Sequence, residues 1–150
     1  MKKKIFLSIL IIFSILSLIG CMPTIPGESI ETIVEEEVRS YWKAIINRQY
    51  ELAKWYCIPD GVWYNKTDEW EEYINTNTEG EASLIISGPV FHKETEVIGE
   101  DIYDPDIRDE AITYVTIDTY KKSSPDGTTT SSVFKYEIGV YKQDKKWKLK

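Results

Sequence analysis

The residues able to carry chemistry are few. There are two cysteines, Cys21 and Cys57, and one histidine, His92, in 150 residues. A cysteine nucleophile needs a depressed pKa or a base to take its proton. Cys57 lies between Tyr56 and Ile58 with no cation beside it in sequence. It therefore reads as a buried free thiol acting as a small apolar side chain. His92 shares strand parity with Val90, Glu94, Glu96 and Ile98, a face of mixed character, and reads as a solvated strand histidine. Glu100, Asp101, Asp104, Asp106, Asp109 and Glu110 form an acidic stretch. Clustered carboxylates can hold calcium, which takes six to eight oxygens. Here the glycine that turns a calcium loop is missing and Pro105 stiffens the start, so the stretch reads as a solvated loop partly offset by Arg108. The tripeptide Asn65-Lys66-Thr67 matches a glycosylation acceptor by coincidence. No catalytic residue, metal ligand or cofactor site is assigned.

Cys21 ends a segment of a different kind. Lys2, Lys3 and Lys4 precede an apolar run, Ile5 to Ile19, interrupted only by serines. A spanning helix needs about 18 residues or more, and this run is shorter. Pro23, Pro26 and Gly27 follow it in place of a basic stop-transfer flank, so it reads as a secretory signal. Leu18-Ile19-Gly20-Cys21 resembles the lipobox of bacterial lipoproteins. The resemblance implies a signal peptide over 1–20 and cleavage before Cys21. It further implies a diacylglyceryl thioether on the Cys21 sulfur and a chain anchored at the extracytoplasmic face of the cell membrane. An uncleaved signal anchor is the alternative. Residues 21–28 then form a membrane-proximal linker and 29–150 the domain.

Cleavage would remove three of the 18 basic residues and none of the 25 acidic ones, for a net charge of −10. Such a domain does not suit nucleic acid, whose binding rests on lysine and arginine at phosphates. The same charge disfavours lying flat on anionic lipid, which leaves attachment to the acyl chains. One chain anchors only marginally and two anchor stably; a diacylglyceryl group supplies two. With Cys21 lipidated, Cys57 has no partner, and the domain folds on its core without a disulfide.

The elements follow from periodicity. Ser29 reads as a cap, and Ile30, Ile33, Val34, Val38, Tyr41, Trp42, Ile45 and Ile46 wind onto one helical face opposite Glu31, Glu35, Arg39 and Lys43. Asn47-Arg48-Gln49 breaks the period. A second short helix carries Tyr50, Leu52, Ala53 and Tyr56, and Pro59-Asp60-Gly61 stops it. Val62-Trp63-Tyr64 reads as a short apolar piece, and Thr67-Asp68-Glu69 as the opening of a third helix with Trp70, Tyr73 and Ile74 on one side. From Ala82 the period becomes two. The strands expected are Leu84–Ile98 with a kink at Gly88-Pro89, Ala111–Lys121, Thr130–Lys142, and a final one bearing Trp147 and Leu149. Phe134, Tyr136, Ile138 and Val140 share a face. Helices followed by consecutive antiparallel strands make an α+β fold, with N-terminal helices packed on a curved antiparallel four-stranded sheet.

This order resembles the nuclear transport factor 2-like superfamily. The resemblance rests on a long first helix with Tyr41-Trp42, the passage Asn47-Arg48-Gln49-Tyr50-Glu51-Leu52-Ala53 into the second, a third short helix, and long strands ending in Lys146-Trp147-Lys148-Leu149. It covers roughly 29–150 and implies a cone, with the sheet curled round the long helix and a pocket at the open end. The superfamily's isomerases and dehydratases place an acid, or a histidine with an acid, inside the cone. Nothing in the sequence assigns His92 there. Tryptophan and tyrosine dominate the aromatics, and Trp42, Trp55, Tyr114 and Tyr136 are expected to line any cavity. The favoured reading is a membrane-tethered, non-catalytic module that binds a small ligand or an envelope protein. The alternative is an enzyme of isomerase or dehydratase type using the cone, and a homodimer through the outer sheet face is a further partner. Convergent ionisable groups at the pocket base would favour the enzyme, and an aromatic base the module.

Overall fold

The computed structural model describes residues 28–80, 82–98, 110–123 and 127–150. The expected signal peptide and lipobox, most of the expected linker and all of the acidic stretch except Glu110 lie outside the described residues. Helix α1 runs Ile30–Ile46, α2 Tyr50–Trp55 and α3 Val62–Asn77; strands β1 Ser83–Ile98, β2 Glu110–Lys122, β3 Thr129–Gln143 and β4 Lys146–Leu149 follow.

Ser29 caps α1, its hydroxyl accepting from the Thr32 amide, with Glu31 in the first turn and Lys43 in the last. Val34, Val38, Tyr41, Trp42 and Ile45 are fully buried on one face. Each such aliphatic side chain contributes roughly 1.5–3 kcal/mol on burial. The helix ends as Arg48 takes a left-handed φ of 58°. Lys54, on α2, reaches across to Asp68 of α3 at 2.6 Å.

The third helix starts five residues before the position expected from Thr67-Asp68-Glu69. Gly61 is its N-cap, and the apolar piece Val62-Trp63-Tyr64 is its first turn. Trp63, Thr67, Trp70 and Ile74 fall at steps of four, three and four along the buried stripe, so Thr67 is an interior residue. Its hydroxyl donates to the Trp63 carbonyl at 2.9 Å and shares a 3.2 Å hydrogen bond with the Tyr41 hydroxyl. A threonine can thus occupy a buried stripe because helix geometry hands it a carbonyl one turn back.

The four strands pair antiparallel in the order β1-β2-β3-β4. Alternation is strict on β2, where Ala111, Thr113, Val115, Ile117 and Thr119 are buried. Opposite them on β3 stand Val140, Ile138, Tyr136, Phe134 and Ser132. The register of β1 against β2 shifts at Ser87/Val90, Phe91/Lys93 and Lys93/Glu96. Such bulges bend and twist the long strand, curving the sheet over the helices. Asp144 and Lys145, both at positive φ, form the two-residue turn into β4. The core fills the space between the helices and the concave sheet face. Among the described residues no helix is long and apolar enough to cross a membrane.

Candidate functional site

The concave face holds a network of aromatic rings. Trp42, with no exposed surface, meets Tyr41, Trp63 and Trp70 edge to face and lies stacked on Tyr136 at 5.7 Å. Its Nε1 is buried and finds no hydrogen-bond partner among the described residues. Edge-to-face pairs at these distances each contribute about 0.5–1.5 kcal/mol beyond area burial.

Beside this network α3 and β3 stand apart enough to leave a cavity of about 270 Å³, lined by Lys66, Glu69, Trp70, Tyr73, Phe134 and Tyr136. The α3 residues sit at Lys66, Glu69, Trp70 and Tyr73, steps of three, one and three that keep them on one side of a helix. The β3 residues are two apart, so they share a sheet face. Trp70 meets Phe134 at 5.2 Å and Tyr73 meets Phe134 at 5.6 Å. The floor is therefore aromatic. Burial raises the Tyr136 phenol, against a hydrogen bond from the Trp70 indole that lowers it. The Tyr73 hydroxyl shares a 3.1 Å hydrogen bond with Thr119. The two charged groups, Lys66 and Glu69, form an ion pair with each other, and the Glu69 side chain is 64% exposed, which puts the pair at the rim.

Of the four aromatic residues expected to line a cavity, Tyr136 does so and Trp42 stacks on it from within the core. Trp55 and Tyr114 lie away from this cavity. Trp55 ends α2, whose buried residue is Ala53, and stands 49% exposed at the β4 edge. Tyr114 is an even-numbered residue on a strand whose odd residues face the helices, so it points outward, with the Lys93 ammonium 4.2 Å from its ring centre. His92 is beside it on the exposed face, Nδ1 3.2 Å from the Thr116 hydroxyl. Cys57 is 1% exposed, its thiol donating to the Ala53 carbonyl, and burial pushes its pKa up to about 12. Among the described residues no three histidine, cysteine or acidic side chains converge as metal ligands do. Lys66, Glu69, Trp70, Tyr73 and Phe134 were not expected at a cavity. The shared face of Phe134 and Tyr136 was the one signal available.

The chain matches no protein-family model and no curated protein. Solved structures do share its architecture. A Salmonella enterica protein of the nuclear transport factor 2-like superfamily aligns at TM-score 0.50 and 12% identity, over 81% of this chain and 88% of that one. The fold is nuclear transport factor 2-like. A Xanthomonas campestris protein assigned as a calcium/calmodulin dependent protein kinase II association domain aligns at TM-score 0.51 and 13% identity, over 83% and 85% of the two chains. The intermembrane space region of the chloroplast protein ARC6 aligns at 0.52 and 10%, over 82% and 94%. Similarity at this level speaks to the fold alone.

Proposed function

We propose that this chain is a lipid-anchored extracytoplasmic binding module, held by acyl chains on Cys21, whose nuclear transport factor 2-like domain takes a small, largely apolar ligand between α3 and β3. One observation carries the reading. The cavity floor is made of Trp70, Tyr73, Phe134 and Tyr136, while its two charged groups neutralise each other at the rim. Proton transfer near neutral pH calls for a group that titrates there. The ionisable groups of the floor are phenols: Tyr73, whose hydroxyl is taken up by Thr119, and Tyr136, which burial raises further from neutrality. Aromatic walls instead bind through contact area, and the rim pair can orient one polar end of a ligand.

The test is a thermal-shift screen of the purified chain against small molecules extracted from a bacterial envelope, repeated on Phe134→Ala. The expected result is a hit whose affinity falls at least about tenfold in the variant, as loss of 1.4 kcal/mol or more of aromatic contact would give, and which is recovered chemically unchanged. A hit converted to product, with conversion lost in Glu69→Gln, would favour the enzyme instead. Circular dichroism confirms that the variants fold.

The outer sheet face supports a second partner, another copy of the chain. Ile85, Val90, Tyr120 and Val133 are 44–67% exposed together with Val62, and the four sheet residues lie on neighbouring strands of one face. Light scattering at twice the chain mass supports the homodimer, and a single chain mass contradicts it.

A further inference from the structure

The last strand lies at the edge of the sheet, and Lys146, Lys148 and Lys150 occupy alternate positions along and just past it. Residues 142–150 hold five lysines, Lys142, Lys145, Lys146, Lys148 and Lys150, against one acid, Asp144. Trp55 lies against this row. The Lys146 and Lys148 ammonium groups are 4.6 and 4.7 Å from its ring centre, and Lys148 also donates to its backbone carbonyl. Leu52, one helical turn earlier, is 45% exposed. The other four tryptophans are 6% exposed or less. Trp55 is thus the one indole of the chain left at the surface, and it is left beside ammonium groups.

An indole combines an apolar body with a polar edge and is at home at the level of lipid headgroups. Lysines beside it match headgroup phosphates. We propose that the Trp55–Lys146–Lys148 face docks on the anionic surface of the bilayer, so that the domain is oriented on the membrane as well as tethered to it. The proposal rests on the reading of Cys21 as the anchor. From Cys21 to Ser29 is eight residues, a reach of at most about 28 Å. Strand β4 packs against α1, and burial raises the Glu37 carboxyl of that helix against the opposing pull of the Lys148 and Lys146 ammonium groups. Glu37 is eight residues past the Ser29 cap, roughly 12 Å along α1. The tether is therefore long enough to lay this face on the lipid. The net charge of −10 does not prevent it, because salt screens exposed charges beyond about 8–10 Å. The local row of lysines decides the contact.

The experiment uses the full chain purified with its lipid and reconstituted in vesicles of phosphatidylcholine with about a third phosphatidylglycerol, an anionic surface of the kind that attracts basic segments, the lipids brominated in the acyl chain. Mass spectrometry of the N-terminal peptide first reports whether Cys21 carries lipid; if it does not, the anchor reading fails, and the docking proposal with it. With lipid present, tryptophan emission is expected to be quenched in anionic vesicles. The quenching should vanish in Trp55→Phe and fall to the phosphatidylcholine level in Lys146→Glu/Lys148→Glu, each lysine shifting the docked population about fivefold. Lipidated protein that shows no quenching overturns docking while the anchor stands. So does protection of Trp55 from acrylamide without bromolipid quenching, which would put a protein on that face. Near-UV circular dichroism checks that the variants keep the wild-type core.

Discussion

At the scale of single residues, the informative contact is buried and polar. Thr67 is held by the Trp63 carbonyl and in turn meets the Tyr41 hydroxyl. Thr67→Val leaves the Tyr41 hydroxyl buried without a partner, at a cost of about 1–3 kcal/mol, whereas Tyr41→Phe removes one hydrogen bond at about 0.5–1.5 kcal/mol. Urea unfolding should rank the two in that order. Cys57 gives a second prediction. Its folded pKa, pushed up to about 12 by burial, exceeds its ordinary value of 9.0. The unfolded thiol ionises first, so the stability it contributes is complete below pH 9 and is lost as pH rises toward 12. Tyr41, Tyr50 and Tyr136, also raised by burial, add to the loss at higher pH. Unfolding free energy should decline from about pH 9, and in Cys57→Ala only from about pH 10, where tyrosines begin to titrate. A thiol reagent should label Cys57 slowly in the native protein and fast in urea. The burial of Cys57 was legible from its apolar neighbours. The role of Thr67 was not, because threonine before two acids has the composition of a helix cap, and only the turn at Pro59-Asp60-Gly61 places the helix start earlier.

At the scale of elements, the change from a 3.6 period to a period of two was enough to give α1 and all four strands. The pairing of Phe134, Tyr136, Ile138 and Val140 on the inner face followed from the same alternation. Alternation fails on β1, where three register shifts move the facing of successive residues and put Lys93 rather than His92 opposite Tyr114. A period count across such bulges cannot assign a face. The junction between α2 and α3 is equally tight and supplies a prediction. A Cβ on Gly61 would lie 2.9 Å from the Ile58 carbonyl oxygen and 3.3 Å from the Lys150 backbone. Both neighbours are main chain and hydrogen-bonded nearby, with the Ile58 amide donating to the Leu149 carbonyl at 2.8 Å. Gly61→Ala should therefore destabilise by about 1–3 kcal/mol, the usual cost of overpacking, and a fall in the urea midpoint at unchanged slope would register it.

At the scale of the whole molecule, the cavity joins Lys66–Tyr73 to Phe134–Tyr136, segments some sixty residues apart. No local pattern links them; they meet because the sheet curls back over the third helix. That is why the fold was legible and the lining of the cavity only at Tyr136. The chain divides its tasks in the same spirit. The core draws on residues from Val34 to Leu149, and the proposed membrane attachment depends on one sulfur upstream of it. Acyl chains contribute about 0.8 kcal/mol per buried CH₂, far more than the lysine row supplies, so the docking face orients the domain without replacing the anchor. Serine at position 21 lacks the thiolate that accepts the lipid. The decisive measurement is metabolic labelling with a palmitate analogue, followed by membrane fractionation of wild type and Cys21→Ser. The account predicts label and membrane residence in the wild type, and in the variant no label, with the chain either released or retained as an unprocessed precursor. Equal labelling of both forms would contradict it.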